Sequence, residues 1–241
     1  MAIQLTILAV ILVFGFSLFT FLRKWADSFV IIAFAIGFVV NANLFTPFTG
    51  YGIEVGPIIF AADSILYTMF LYCICVKALH YTVKEVKLVV YSSIVAIIIS
   101  AFIEFFANLS KMPVLESEYV VNLVKRLLEY IFSAGSSLLA CWYMVWVIKK
   151  MEAKGISRYL ILPAAMIGGA LIDSTLYYCL DAAIYGGFGS TNGIEYFAKT
   201  LAGSWIGKIV ACLFSIFCYF INDKFWVPNE IKNRELQNKK D

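Results

Sequence analysis

The sequence predicts an all-α integral membrane protein of seven transmembrane helices, with the N-terminus outside and the C-terminus cytoplasmic. Three observations predict it. Hydrophobic residues make up 62% of the chain and charged residues 15%, with a mean hydropathy of +0.86; soluble domains are about 45–50% apolar and about 25% charged. Seven apolar runs are near the roughly 20 residues that a spanning helix needs. Lysine and arginine collect in alternate connections.

The runs are Ile3–Leu22, Ser28–Leu44, Gly56–Leu79, Val86–Asn108, Tyr119–Ile148, Tyr159–Asp181 and Phe197–Ile221. The first has no basic leader and no small-residue cleavage site, so it reads as a retained helix. It forms an additional segment, residues 1–24, before a six-helix core at 25–222 and a polar cytoplasmic tail at 223–241. The second run is short and ends in Asn41-Ala42-Asn43 before a loop containing Pro47, Gly50 and Gly52. The fifth is longer than a membrane is thick, so it tilts or begins as an interfacial turn.

Arg23 and Lys24 flank the first connection, and Lys77, Lys84 and Lys87 the third. Lys149, Lys150, Lys154 and Arg158 lie in the fifth, and Lys224, Lys232, Arg234, Lys239 and Lys240 in the tail. Fourteen of the nineteen basic residues thus fall on one side, against Lys111 alone in the alternate loops. That side is the cytoplasm. The formal charge of +3 gives no footprint for nucleic acid.

Ionisable side chains at membrane depth cost a few kcal/mol or more, and usually face a cavity or a partner. Once the helices are oriented, Asp63, Glu104, Lys125, Arg126, Glu129, Asp173 and Asp181 fall in the outer half, with Lys208 near the middle of the last helix. A polar cavity open to the outside would produce this one-sidedness. Asp63, Arg126, Asp173 and Lys208 are its strongest candidates, joined by Glu104 and by Asn43 at the end of the second helix. The plainer reading pairs Arg126 or Lys125 with Glu129 on one helix face, three and four residues apart.

Tyr67 follows Asp63 by four residues, Tyr177 follows Asp173 by four, and Trp205 precedes Lys208 by three. Their rings suit stacking on a planar ligand whose N–H groups the carboxylates accept, although aromatic packing of the bundle uses the same residues. Ala33 and Gly37, and Ala165 and Gly169, have the small-residue spacing of close helix contacts. Such contacts serve the bundle itself, a homo-oligomer or a separate coupling subunit. The six cysteines all lie in apolar runs and read as small apolar filler. His80 is the only histidine, so no ordinary metal site is expected and no cofactor is implied.

Four places together resemble the vitamin uptake transporter family, whose best-known members import queuosine precursors. They are Gly56-Pro57-Ile58-Ile59-Phe60 leading to Asp63, Arg126 early in the fifth run, Pro163 and Gly169 before Asp173-Ser174-Thr175-Leu176, and Lys208 within SWIGKIV. The resemblance implies a six-helix core related in architecture to the substrate-binding components of energy-coupling-factor importers. It also implies that Asp63, Arg126, Asp173 and Lys208 line the substrate site. Two departures stand out: the additional first helix, and Tyr67 where that family often has an acid.

The function expected is therefore import of a small nucleobase-like or vitamin-like solute, a queuosine precursor (a deazaguanine or queuine) first, by a multi-pass cell-membrane protein in contact with lipid. Two alternatives are a retinal-binding seven-helix protein with Lys208 as Schiff-base lysine and Asp63 as counter-ion, and an accessory membrane subunit. No His-Glu-x-x-His or Gly-x-Ser-x-Gly element is present, and the lone histidine offers no cysteine partner at the charged layer, so an enzyme is not expected.

Overall fold

The computed structural model describes residues 13, 17–18, 30–40, 53–55, 58–60, 63–110 and 117–221, with the backbone alone described at 53–55, 58–60, 63–65 and 117. The elements among the described residues include α1 (Val30–Val40), β1 (Ile53–Val55), β2 (Ile58–Phe60), α2 (Asp63–His80), α3 (Val83–Leu109), α4 (Ser117–Ala153), α5 (Arg158–Ile184) and α6 (Thr191–Ile221). Among the described residues, four helices are long and apolar enough to cross a membrane: α3, α4, α5 and α6. Val30–Val40 and Leu66–His80 are shorter apolar helices. The described residues are helical apart from the hairpin and short connecting turns, and the sequence has the composition of a membrane protein. The first run is helical at Val13, Ser17 and Leu18; the rest of it, Asn43 and the tail after Ile221 lie outside the described residues.

The third run departs from expectation. Its helix begins at Asp63 rather than Gly56, because Ile53–Val55 and Ile58–Phe60 pair as antiparallel strands about Gly56-Pro57, with Val55 opposite Ile58 and Ile53 opposite Phe60. Proline has no N–H to donate to a helix, and β-branched residues favour strands. The helix then starts on an acid, where the positive end of its dipole favours one.

From Tyr67 to His80 every residue of α2 is buried. A helix apolar all round belongs inside, and α2 packs against α3, α4, α5 and α6. The α4–α5 pair is the most extensive contact in the bundle, followed by α5–α6 and α3–α4. β2 lies along α6. The opposite case is α3, which exposes Leu88, Tyr91, Val95, Ile99, Phe102 and Phe106 at helical spacing. That stripe is what a helix offers to lipid.

Helix ends follow from local chemistry. Thr82 and Glu85 form a reciprocal cap at the start of α3, the Thr82 N–H donating to the Glu85 carboxylate at 3.1 Å and the Glu85 N–H to the Thr82 hydroxyl at 3.4 Å. α4 closes with Gly155 at φ 70°. The Gly155 N–H bonds to the Glu152 carbonyl and the Ile156 N–H to the Met151 carbonyl, the two bonds of a Schellman ending that favours glycine there. Pro163 is the sixth residue of α5, so it has no N–H to bond the Tyr159 carbonyl one turn back.

Candidate functional site

Among the described residues, the charged side chains that join one helix to another occur in three layers along the bundle, and each layer joins different helices. The central layer is the most enclosed. Lys208 of α6 donates to Asp173 Oδ2 of α5 at 2.9 Å, with both side chains 7% exposed. Ser136 of α4 donates to Asp173 Oδ1 at 2.8 Å. The Lys208 ammonium also stands 4.3 Å from the ring centroid of Tyr67 on α2, a cation–π contact that strengthens as water is excluded. Beside them the hydroxyls of Ser174 and Ser204 lie 3.0 Å apart and link α5 to α6. Four helices therefore meet at one buried ion pair.

Why these side chains converge follows from helix geometry. Asp173 and Ser174 are buried on α5, as are Gly169 and Ala170 one turn earlier, so the acid faces the bundle interior. On α6, Ser204 and Lys208 lie four residues apart and share a face. The ion pair is uncharged as a whole, which is how two ions remain in a low-dielectric interior. Its net contribution to stability is small, since desolvation offsets attraction, but removing one partner strands the other.

Two polar atoms in this layer are left over. The Tyr67 hydroxyl and Ser137 Oγ are buried without a hydrogen-bond partner. Tyr67 is near enough to Ser137 and Asp173 for all three groups to interact electrostatically, but its hydroxyl meets neither with hydrogen-bond geometry.

The second layer lies towards the start of α4. Arg126 Nε sits 2.9 Å from Glu104 Oε1 on α3, and the Tyr130 hydroxyl donates to Glu104 Oε2. Glu129 lies close enough to Asp181 and Tyr185 at the end of α5 for the three groups to interact electrostatically, and the Lys125 ammonium lies 5.5 Å from the Tyr185 ring centroid. Arg126 is ten residues before Ser136, about 15 Å along the helix. The structure thus separates Arg126 and Glu104 from the Asp173–Lys208 pair with which the sequence grouped them. The same-helix Arg126–Glu129 ion pair gives way to a cross-helix partner, because Glu104 reaches Arg126 from α3.

The third layer closes the other end and was not anticipated. Lys77, expected in a cytoplasmic connection, has a side chain 0% exposed, 3.6 Å from Glu85 and 3.5 Å from the Tyr81 ring centroid. Lys149 donates to the Ala78 carbonyl and to Glu152, both at 3.0 Å, joining α4 to the end of α2. His80, given no role from the sequence, bonds to the Tyr219 hydroxyl of α6 at 3.0 Å. Three basic side chains here hold helix ends together. The signal lay in a lysine and a histidine following an uninterrupted apolar helix without a glycine or proline between.

The remaining candidates divide. Asp63 opens α2 one turn before Tyr67; its side chain, like Asn43, lies outside the described residues. Tyr177 is half-buried and stacks edge-on with Tyr178 at 5.2 Å. Trp205 is 36% exposed and belongs to the outer surface of α6, while its neighbour Ser204 faces Ser174. Both lie within a turn of Lys208, but it is Ser204 that is buried with Lys208 while Trp205 is exposed. Ser136, Ser137, Ser174 and Ser204 are the site residues that reading for charge and aromatic rings missed; each is a small polar residue in the middle of a long apolar run.

Among the described residues no group of three or more histidine, cysteine, aspartate or glutamate side chains could hold a metal ion. All six cysteines are free, and Cys75 contacts the Met144 sulfur at 3.6 Å. No family model, curated protein or solved structure matches the chain.

Proposed function

We propose that the protein is a multi-pass cell-membrane transporter that imports a small, ring-containing polar solute, with queuosine precursors (a deazaguanine or queuine) as the first substrates to test. The observation that carries this reading is the buried Asp173–Lys208 pair, which is shared by α5 and α6, bonded from α4 and covered by the Tyr67 ring of α2. Ionisable residues at membrane depth mark solute or ion pathways by default. A carboxylate acceptor, an ammonium donor and an aromatic face at one point suit a planar solute that carries N–H and carbonyl groups. With the orientation proposed from the basic residues, N-terminus outside, a solute path would run from outside to inside, and the hydrogen-bonded layer around Lys77, Lys149 and His80 would close its cytoplasmic end.

In this mechanism solute enters from the Arg126–Glu104 side and exchanges hydrogen bonds with Asp173 and Lys208. The cytoplasmic layer then parts. Cells unable to make queuosine, expressing the protein and fed queuine or a deazaguanine precursor at low concentration, should regain queuosine in their tRNA. Asp173→Asn should abolish the recovery at an equal membrane level. Absence of recovery with wild-type protein in the membrane would reject these solutes; recovery at the wild-type rate by Asp173→Asn would reject the site.

A lysine 2.9 Å from a buried carboxylate is also what a retinal Schiff base and its counter-ion require, with Asp173 rather than Asp63 in the second role. Absorption in the visible range after retinal is added to purified protein, lost in Lys208→Met, would favour that reading.

A further inference from the structure

The central layer contains more hydrogen-bonding capacity than it uses. Tyr67 is 7% exposed and Ser137 0% exposed, on α2 and α4, and neither hydroxyl has a hydrogen-bond partner among the described residues. Both belong with Asp173, whose two oxygens already accept from Ser136 and Lys208. A carboxylate offers about four lone-pair positions, so Asp173 retains acceptor capacity on the side that Tyr67 and Ser137 face. Buried hydroxyls are nearly always bonded, and one that is not destabilises the fold it sits in. The Tyr67 ring is held against Lys208 and Phe70, so its hydroxyl stays beside Ser137 and Asp173.

We infer that the hydroxyls of Tyr67 and Ser137, together with Asp173, form the docking point for a hydrogen-bonding edge of the transported solute, which makes Ser137 a solute-contacting residue. This rests on the transporter reading above and adds to it the chemistry of the edge. The ion pair is already neutral, so a charged group brought beside it would stay uncompensated in a buried site; the edge is uncharged. Asp173 accepts only, whereas each hydroxyl donates or accepts. A ring amide satisfies all three, its N–H to the carboxylate and its carbonyl to the hydroxyls.

The test uses two mild variants of the full-length protein, Tyr67→Phe and Ser137→Ala, each removing one oxygen, with Ser174→Ala as a comparator whose hydroxyl is bonded. Thermal unfolding is measured without solute, and binding with radiolabelled queuine. Each variant should melt at the wild-type temperature or above it and bind queuine about tenfold more weakly, the loss expected for one hydrogen bond of about 1.4 kcal/mol. Ser174→Ala should melt lower. Unchanged queuine binding, or a fall in melting temperature matching that of Ser174→Ala, overturns the inference, since the hydroxyls would then serve the fold through a bound water. Should wild-type protein not bind queuine, the choice of solute fails by itself. The solute-free melting temperatures still decide on the hydroxyls: a fall overturns their role, and no change or a rise sustains it.

Discussion

Lys208 and Asp173 stabilise each other only as a pair, so their substitutions are not additive. Lys208→Met leaves a carboxylate buried with Ser136 as its remaining bonded partner, and Asp173→Leu leaves an ammonium with only the Tyr67 ring. Each single change should lower unfolding stability by about 3–5 kcal/mol, while the double variant Lys208→Met/Asp173→Leu recovers most of the loss. Chemical unfolding of the four purified proteins in detergent closes this cycle; additive losses would mean that the two charges are not coupled. Both charges were legible from the sequence because a charge in an apolar run always requires explanation, but not that they would pair with each other. Ser137 was not, because a serine fits a membrane helix without penalty and only its neighbours show that it lacks a bond. Arg126 shows the converse limit: its charge was visible, but not that Glu104 on another helix would take it.

At the scale of elements, the bundle depends on how closely α4 and α5 approach. A Cβ added to Gly168 would lie 2.5 Å from Tyr143 Cε1, and one added to Gly169 would lie 2.6 Å from Met144 Cγ. Both contacts cross the α4–α5 interface one turn before Asp173, so this spacing also sets where the acid stands. Gly169→Ala should be absorbed by movement of the flexible Met144 at about 1 kcal/mol, whereas Gly169→Leu should cost about 3 kcal/mol and weaken solute binding by displacing Asp173. Thermal unfolding with a binding measurement on both variants checks this; equal behaviour of Ala and Leu would show that the interface is loose. The small-residue spacing of Ala165 and Gly169 made the contact readable in advance. The hairpin was not readable, since a short apolar run has no period that separates a buried strand from the start of a helix, and Gly56-Pro57 was the one sign of a break. The full burial of α2 was equally hidden: an all-apolar helix looks alike whether lipid or protein surrounds it.

Across the whole molecule, the layers at the two ends differ in what they hold. Lys149 and His80 tie α4 and α6 to the end of α2 where α3 begins, while Arg126, Glu104, Glu129 and Asp181 gather where α4 begins and α5 ends. Contacts between helices thus place Lys154 and Ser190 at opposite ends of the bundle, one beyond α4 and the other before α6. The basic residues accumulate at the Lys154 end, and that asymmetry orients membrane proteins because positively charged loops are retained in the cytoplasm. It is a statistical rule about insertion, acting before the bundle packs, so geometry alone does not supply the direction. Single cysteines at Lys154 and Ser190, introduced into a variant in which the six native cysteines are replaced, supply it directly. A membrane-impermeant maleimide applied to intact cells should label Ser190→Cys and leave Lys154→Cys unlabelled until the membrane is permeabilised. The reverse pattern would invert the protein, place the Lys77–Glu85 layer on the outside, and make the same bundle face the path of an exporter. Equal labelling of both positions in intact cells would mean that the four long helices do not separate the two ends across a membrane.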